Sequence, residues 1–173
     1  MNYIKKLIII LLLLFPANVA QSNEIYFIDF KLILNESSAG KKAQNFLKSK
    51  LDNGIKNLRK KEKSIQEEEK KIIQQKKLIT PEEYKKKVTE LRSKVSALQK
   101  ERNKLLDSVA KQRLKAKNEL LKNLNPIIKT YMSENKIRIV LDKKNILLAD
   151  DSLNITKQIM AQLNQKLKSI KLN

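Results

Sequence analysis

The side chains with chemistry to offer in this sequence are amines and guanidiniums, concentrated in two stretches. Residues 41–77 hold thirteen basic and five acidic side chains, and residues 82–122 hold thirteen and six. The two stretches therefore carry +8 and +7 of a chain whose net charge is +20. Lysine and arginine at this density act as a field of point charges that draws in carboxylates and phosphates from a distance. Charge runs are usually just solvated faces. A balanced mixture of Lys and Glu would serve that purpose, whereas a twofold excess of one sign opposes folding by self-repulsion. We therefore take Arg59, Lys60, Lys61, Lys70, Lys71, Lys76 and Lys77 on the first stretch as candidate contact residues, with Lys85, Lys86, Lys87, Arg92 and Lys94 on the second.

Bond-making chemistry has little to work with. The chain has no His and no Cys, so the common transition-metal ligand sets and thiol or imidazole catalysis are missing. We expect no catalytic residue, no metal and no cofactor, and we do not expect an enzyme. The absence of Cys also means that no disulfide framework stabilises the fold.

The elements that must position these charges are helices. Between residues 41 and 78 there is no Pro and one Gly, Gly54. Leu51, Ile55, Leu58, Ile65, Ile72 and Ile79 step by threes, fours and sevens. Glu62, Glu69 and Lys76 fill the same heptad rhythm with charge. Thr80-Pro81-Glu82-Glu83 then reads as an N-cap, a first-turn proline and a capping box. A second seam follows through Tyr84, Val88, Leu91, Val95, Leu98, Arg102, Leu105 and Val109. Two seams joined by a short turn predict an antiparallel helical hairpin. Pairing positions whose numbers sum to 163 or 164 matches Ile72 with Leu91, Ile65 with Leu98, Leu58 with Leu105 and Glu62 with Arg102. Tyr84 then packs at the tip against Ile79. Glu69 and Lys76 face Val95 and Val88, which leaves the outer seam poorly filled. From Leu51 to Ile79 the arm spans roughly 45 Å.

Both ends of the chain look different. Residues 24–30 (EIYFIDF) read as a strand, followed by a helical turn at 31–34 and a cap at Ser37 or Ser38. Leu120, Leu121, Leu124, Ile127, Ile128 and Tyr131 widen the apolar stripe, and Pro126 predicts a kink or restart near 123–126. Residues 137–142 (IRIVLD), with Ile137, Ile139 and Leu141 on one face, and 146–149 predict a β-hairpin about the turn at 143–145. A last amphipathic helix is expected over 152–170. The fold class is thus mainly α with a small β body. A coiled-coil hairpin arm, residues 50–111, is inserted in a three-strand oligomerisation body, residues 23–49 and 112–173. Three short strands leave open edges and little core, so the body is expected to oligomerise.

Residues 1–22 stand apart. Lys5 and Lys6 precede nine apolar residues, 7–15, and Pro16 and a small-residue zone ending Ala20-Gln21-Ser22 follow. That is the layout of a cleaved secretory signal peptide, since spanning a bilayer needs about 20 apolar residues. A mature chain from Asn23 would have 151 residues and a net charge of +18. No Cys follows the apolar run to carry a lipid.

In its order of elements, and in IYFIDFKLILNESSAGKKA and IRIVLDKKNILLADDSLNITKQIMAQLN, the chain resembles the Skp/OmpH family of periplasmic chaperones. Ile28-Asp29, Val140-Leu141-Asp142 and Asn154-Ile155-Thr156 stand where that family has its short motifs. Asn154 replaces the family's usual Asp and can still cap a helix. The resemblance implies a homotrimer in which strands of three subunits form a shared barrel. It also implies arms that hold unfolded outer-membrane β-barrel proteins without ATP, in the periplasm. An anionic lipid or lipopolysaccharide surface is a further polyanion within reach. A specific nucleic-acid interface is not expected, because the arms lack interleaved aromatics for base stacking and no nucleic-acid-binding motif appears. The alternative reading is a structural coiled-coil envelope protein, or an adaptor that docks on one folded membrane partner.

Overall fold

Two short strands close the ends of the chain on each other in a computed structural model that describes residues 24–172. The expected signal peptide, residues 1–22, and the Asn23 start lie outside the described residues. Strand β1 (Ile25–Ile28) pairs in parallel with β2 (Ile139–Asp142), Ile25 opposite Ile139 and Ile28 opposite Asp142. Parallel partners need a long connection. Here it consists of helices α1 (Phe30–Glu36), α2 (Ser38–Gln75) and α3 (Pro81–Glu134). Helix α4 (Thr156–Lys166) follows β2 after two single 3₁₀ turns, Lys143–Asn145 and Asp151–Leu153.

The first three helices each start at a residue built to start them. Asp29 caps α1 by accepting the Leu32 N–H at 2.7 Å. Ser37 caps α2 by accepting the Gly40 N–H at 3.1 Å. Thr80 and Glu83 exchange two bonds of 3.2 Å, completing the capping box of α3. The helical turn expected at 31–34 is a full helix, and Ser37 is the cap. Gly40 is fixed by close approach: a Cβ there would lie 2.1 Å from the Leu34 carbonyl oxygen.

The core lies at the strand end of the molecule. Ile33, Leu120, Leu124, Ile159 and Leu163 are fully buried and pack with Ile28, Ala39, Ile127, Ile137 and Ile155. Helix α3 runs through Pro126 without the restart that was one of the two expectations there. An internal proline costs about 3 kcal/mol, and burial of Leu120, Leu124 and Ile127 on either side offsets it. One polar knot ties the chain ends. The buried Thr156 Oγ1 accepts the Asp29 N–H at 2.8 Å and donates to Asn154 Oδ1 at 2.5 Å. The Ile155 N–H donates to the Phe27 carbonyl at 3.0 Å. Asn154 also accepts the Thr156 N–H at 3.1 Å, one residue before the cap position of α4.

Two expectations fail here. Residues 146–149 are not a strand, and Leu147 and Leu148 stand fully in solvent. In place of the β-hairpin, β2 pairs with β1, and the other edge of β1 meets residue 154 in an isolated bridge. The face carrying Ile139 and Leu141 points outward, and both residues are exposed, while Val140 packs on the core. The final helix is also shorter than 152–170. It ends at Lys166, and Leu167 turns into extended backbone. In the preceding turn, Asp150 accepts from the Ser152 hydroxyl and N–H, which holds its carboxyl below the usual range. The Tyr26 hydroxyl donates to Glu24 at 3.0 Å, and that bond raises its pKa.

Candidate functional site

Helices α2 and α3 pack along most of the length of α2 as an antiparallel pair. Of the expected heptad pairs, Ile65 and Leu98 line one shallow concavity, whereas Ile55 is exposed. Leu58, Ile72 and Val109 are buried, and Leu51, Ile65, Leu91, Leu98 and Leu105 are half-buried. Three ion pairs cross the hairpin. Glu62–Arg102, at 3.9 Å, obeys the 163/164 rule. Lys61–Glu101 at 2.6 Å and Lys94–Glu68 at 2.7 Å lie one step away, bracketing Ile65 and Leu98. Gly54 permits a close approach, since a Cβ there would meet the Leu105 side chain at 2.4 Å. The outer seam is thin, with Val95, Glu69 and Lys76 exposed. Tyr84 is half-buried at the tip, with the Lys76 ammonium 5.6 Å from its ring centre, a cation–π distance.

Of the twelve basic candidates, all but the half-buried Lys87 are exposed. The pairing divides them. Lys61 and Lys94 are held by Glu101 and Glu68, and Lys76 lies over Tyr84. Among the described residues, Arg59, Lys60, Lys70, Lys71, Lys77, Lys85, Lys86, Lys87 and Arg92 have no acidic partner within 4.0 Å. Arg59 and Lys60 share a shallow concavity of about 620 Å³ with Lys56, Lys63, Ile55 and Asp52. Four cations and one acid at three- and four-residue spacing make this a basic stripe along α2. Lys70, Lys71, Lys77 and Lys85–Lys87 lie around the turn. No group of three or more acidic side chains suited to a metal occurs among the described residues. No described helix is long and apolar enough to cross a membrane.

Sequence reasoning missed an apolar component. Ile73 is 60% exposed and Leu78 is 82% exposed, both at the hairpin tip among the unpaired lysines. Their signal was present: each is a large apolar residue off the heptad seam. The tip therefore offers hydrophobic contact and positive charge together.

The fold and this surface define a class, a long basic helical hairpin projecting from a small α/β body. The pattern described as "Outer membrane protein (OmpH-like)" matches residues 24–163. The chain belongs to that family. It is similar in structure to a candidate outer membrane chaperone (OmpH-like) from Caulobacter crescentus CB15. That match has a TM-score of 0.78 at 20% identity and covers 85% of this chain and 87% of the other. No curated protein matches.

Proposed function

We propose that this chain is an ATP-independent holdase of the periplasm. In this reading it is exported by a cleaved signal peptide and binds unfolded outer-membrane β-barrel proteins at the basic hairpin, preventing their aggregation. The observation that carries the reading is the set of nine exposed or half-buried cations without acidic partners, six of them around the turn where Ile73 and Leu78 are exposed. Long-range attraction recruits a chain, and weak contacts spread over many sites leave it mobile and releasable. Membership of the OmpH-like family supports the same reading. The division into a body, 23–49 and 112–173, and an arm, 50–111, belongs to it, as does the homotrimer. The exposed Ile25, Ile139 and Leu141 of the strands, with Leu147 and Leu148 of the loop after them, support assembly through the body; the number three comes from the family resemblance. An anionic lipid or lipopolysaccharide surface is a second polyanion for the same lysines. No enzymatic step enters the mechanism.

The test is an aggregation assay with a denatured β-barrel protein, together with capture rates over a salt series. Wild-type protein should suppress aggregation, and its capture rate should fall as the Debye length shrinks from about 10 Å at 0.1 M to about 3 Å at 1 M salt. Reversing Arg59, Lys60, Lys70, Lys85 and Lys86 to Glu should slow capture at least tenfold with helix content unchanged. Capture at the wild-type rate and salt dependence would leave the charge excess as a solvated surface. The adaptor reading is favoured by one observation, the exposed Leu78 at the extreme tip. Under it, Ile73→Ser with Leu78→Ser abolishes binding to a single folded partner, and the wild-type protein does not suppress aggregation.

A further inference from the structure

The last residues of the described chain occupy a groove apart from the main core, where the body meets the hairpin. After α4 the backbone becomes extended at Leu167 (φ −126°, ψ 104°). It runs to the root of the hairpin, where Leu172 is 4% exposed among Ala43, Leu47, Leu51, Leu105, Val109 and Ala116. Ile170, two residues earlier, packs on the same cluster, and Lys171 between them faces solvent. Ile170-Lys171-Leu172 thus alternate apolar, polar, apolar, with the polar residue outward, as successive residues of a strand do.

The groove also holds the backbone. Gln112 Nε2 donates to the Leu172 carbonyl oxygen at 2.6 Å. The Gln112 amide is itself oriented, because Lys50 Nζ donates to its Oε1 at 2.9 Å and to Ser108 Oγ at 2.8 Å. A fixed donor for a carbonyl, beside an apolar slot for alternate side chains, recognises extended chain in general. Main-chain bonding supplies affinity and the slot selects apolar residues. Every ligand feature used here is backbone or plain hydrocarbon, so no particular sequence is demanded. The tail that fills the groove lies beyond residue 163, where the family match stops.

We propose that the α2–α3 root is a binding groove for extended segments with alternating apolar residues, and that residues 170–172 are its intramolecular occupant, displaced when such a segment binds. The partner class follows from the alternation: membrane-facing strands of a β-barrel present an apolar residue at every second position. Naming unfolded barrel proteins as the displacing ligand rests on the holdase reading above. The groove itself does not.

The experiment uses the full chain and a fluorescent synthetic peptide with the tail sequence LKSIKLN. In wild-type protein the tethered tail outcompetes the peptide, because an attached segment acts at an effective concentration of about millimolar. Leu172→Asp should free the groove and raise peptide affinity at least tenfold, with unchanged helix content and a still cooperative, if lowered, melting curve as the check on folding. Leu172→Ala, which removes apolar contact without adding charge, should give a smaller rise. Adding Gln112→Ala to Leu172→Asp should remove most of the gain, and a peptide with Ile and both Leu replaced by Ser should not bind. The Leu172→Asp chain should also hold a denatured β-barrel protein at least threefold more tightly than wild type. No peptide gain in either Leu172 variant overturns the groove. A peptide gain without a change toward the barrel protein overturns the assignment of the displacing ligand. If neither wild type nor variant suppresses aggregation, the holdase reading falls, while the peptide result still decides the groove.

Discussion

The body and the outer hairpin are made from the same two helices, yet they bury those helices in opposite ways. Near the strands, α3 places Leu120, Leu124 and Ile127 in a core shared with α1, α4 and both strands. Toward the tip the same helix leaves Val95 half in solvent and meets only α2. The difference is one of stripe width. A broad apolar stripe satisfies several neighbours, and a narrow one satisfies a single partner helix. Stability should therefore be concentrated in the body, while the hairpin gives up burial for surface that can be charged.

The contrast can be broken most directly in the core. Leu163→Ala removes a fully buried side chain and should destabilise by about 2–5 kcal/mol, read as loss of the whole cooperative transition in urea. Val95→Ala in the outer seam should cost less than about 1 kcal/mol, in line with its exposure. Equal effects would mean that the hairpin, not the body, holds the fold. A second, smaller effect concerns the polar knot. Thr156→Val keeps shape and leaves the Asp29 N–H without its partner, at about 1–3 kcal/mol. Amide exchange at Asp29 should rise in that variant before exchange in the outer hairpin does. The smallest effect sharpens the hairpin side. Glu62→Ala and Arg102→Ala should couple weakly in a double-mutant cycle, about 0.2–0.5 kcal/mol, because the pair is half-exposed and 3.9 Å apart. Stronger coupling is expected for Lys61 with Glu101, whose contact is 2.6 Å. The reverse order would mean the helices are slipped from the observed register.

The hairpin was legible because its information is periodic. A heptad seam states which residues face the partner, and the capping box at Thr80 fixes where the chain reverses, so Glu62 and Arg102 could be paired by counting. The body was not legible to the same degree. Short apolar runs such as 139–142 and 146–149 carry no mark of whether they pair locally or with a strand more than a hundred residues away. The local β-hairpin was the simpler reading; β1 prevailed as partner because α1–α3 return the chain beside it. The restart offered for Pro126 fails for a related reason, since its local penalty is visible in sequence and the burial that offsets it is not. For the candidate surface, composition gave the basic residues. Only three-dimensional neighbours could show that Lys61 and Lys94 are engaged while Arg59 and Lys60 are not. The seat of Leu172 had no sequence signal beyond a single apolar residue near the end.

The bond between Asp29 and Thr156 spans 127 positions along the chain, and that separation orders events in time. The hairpin joins residues that are close in sequence near its turn and can zip outward from Thr80 as soon as both helices exist. The body cannot begin to close until the final quarter of the polypeptide is present, because β1 has no partner before residue 139. Closing so long a loop from an unstructured chain is slow. A preformed hairpin folds that distance back on itself and delivers its two roots side by side. The arm should thus act as a splint during folding, and changes that unzip its inner turns, near Gly54 and Leu105, should slow refolding of a body they hardly touch.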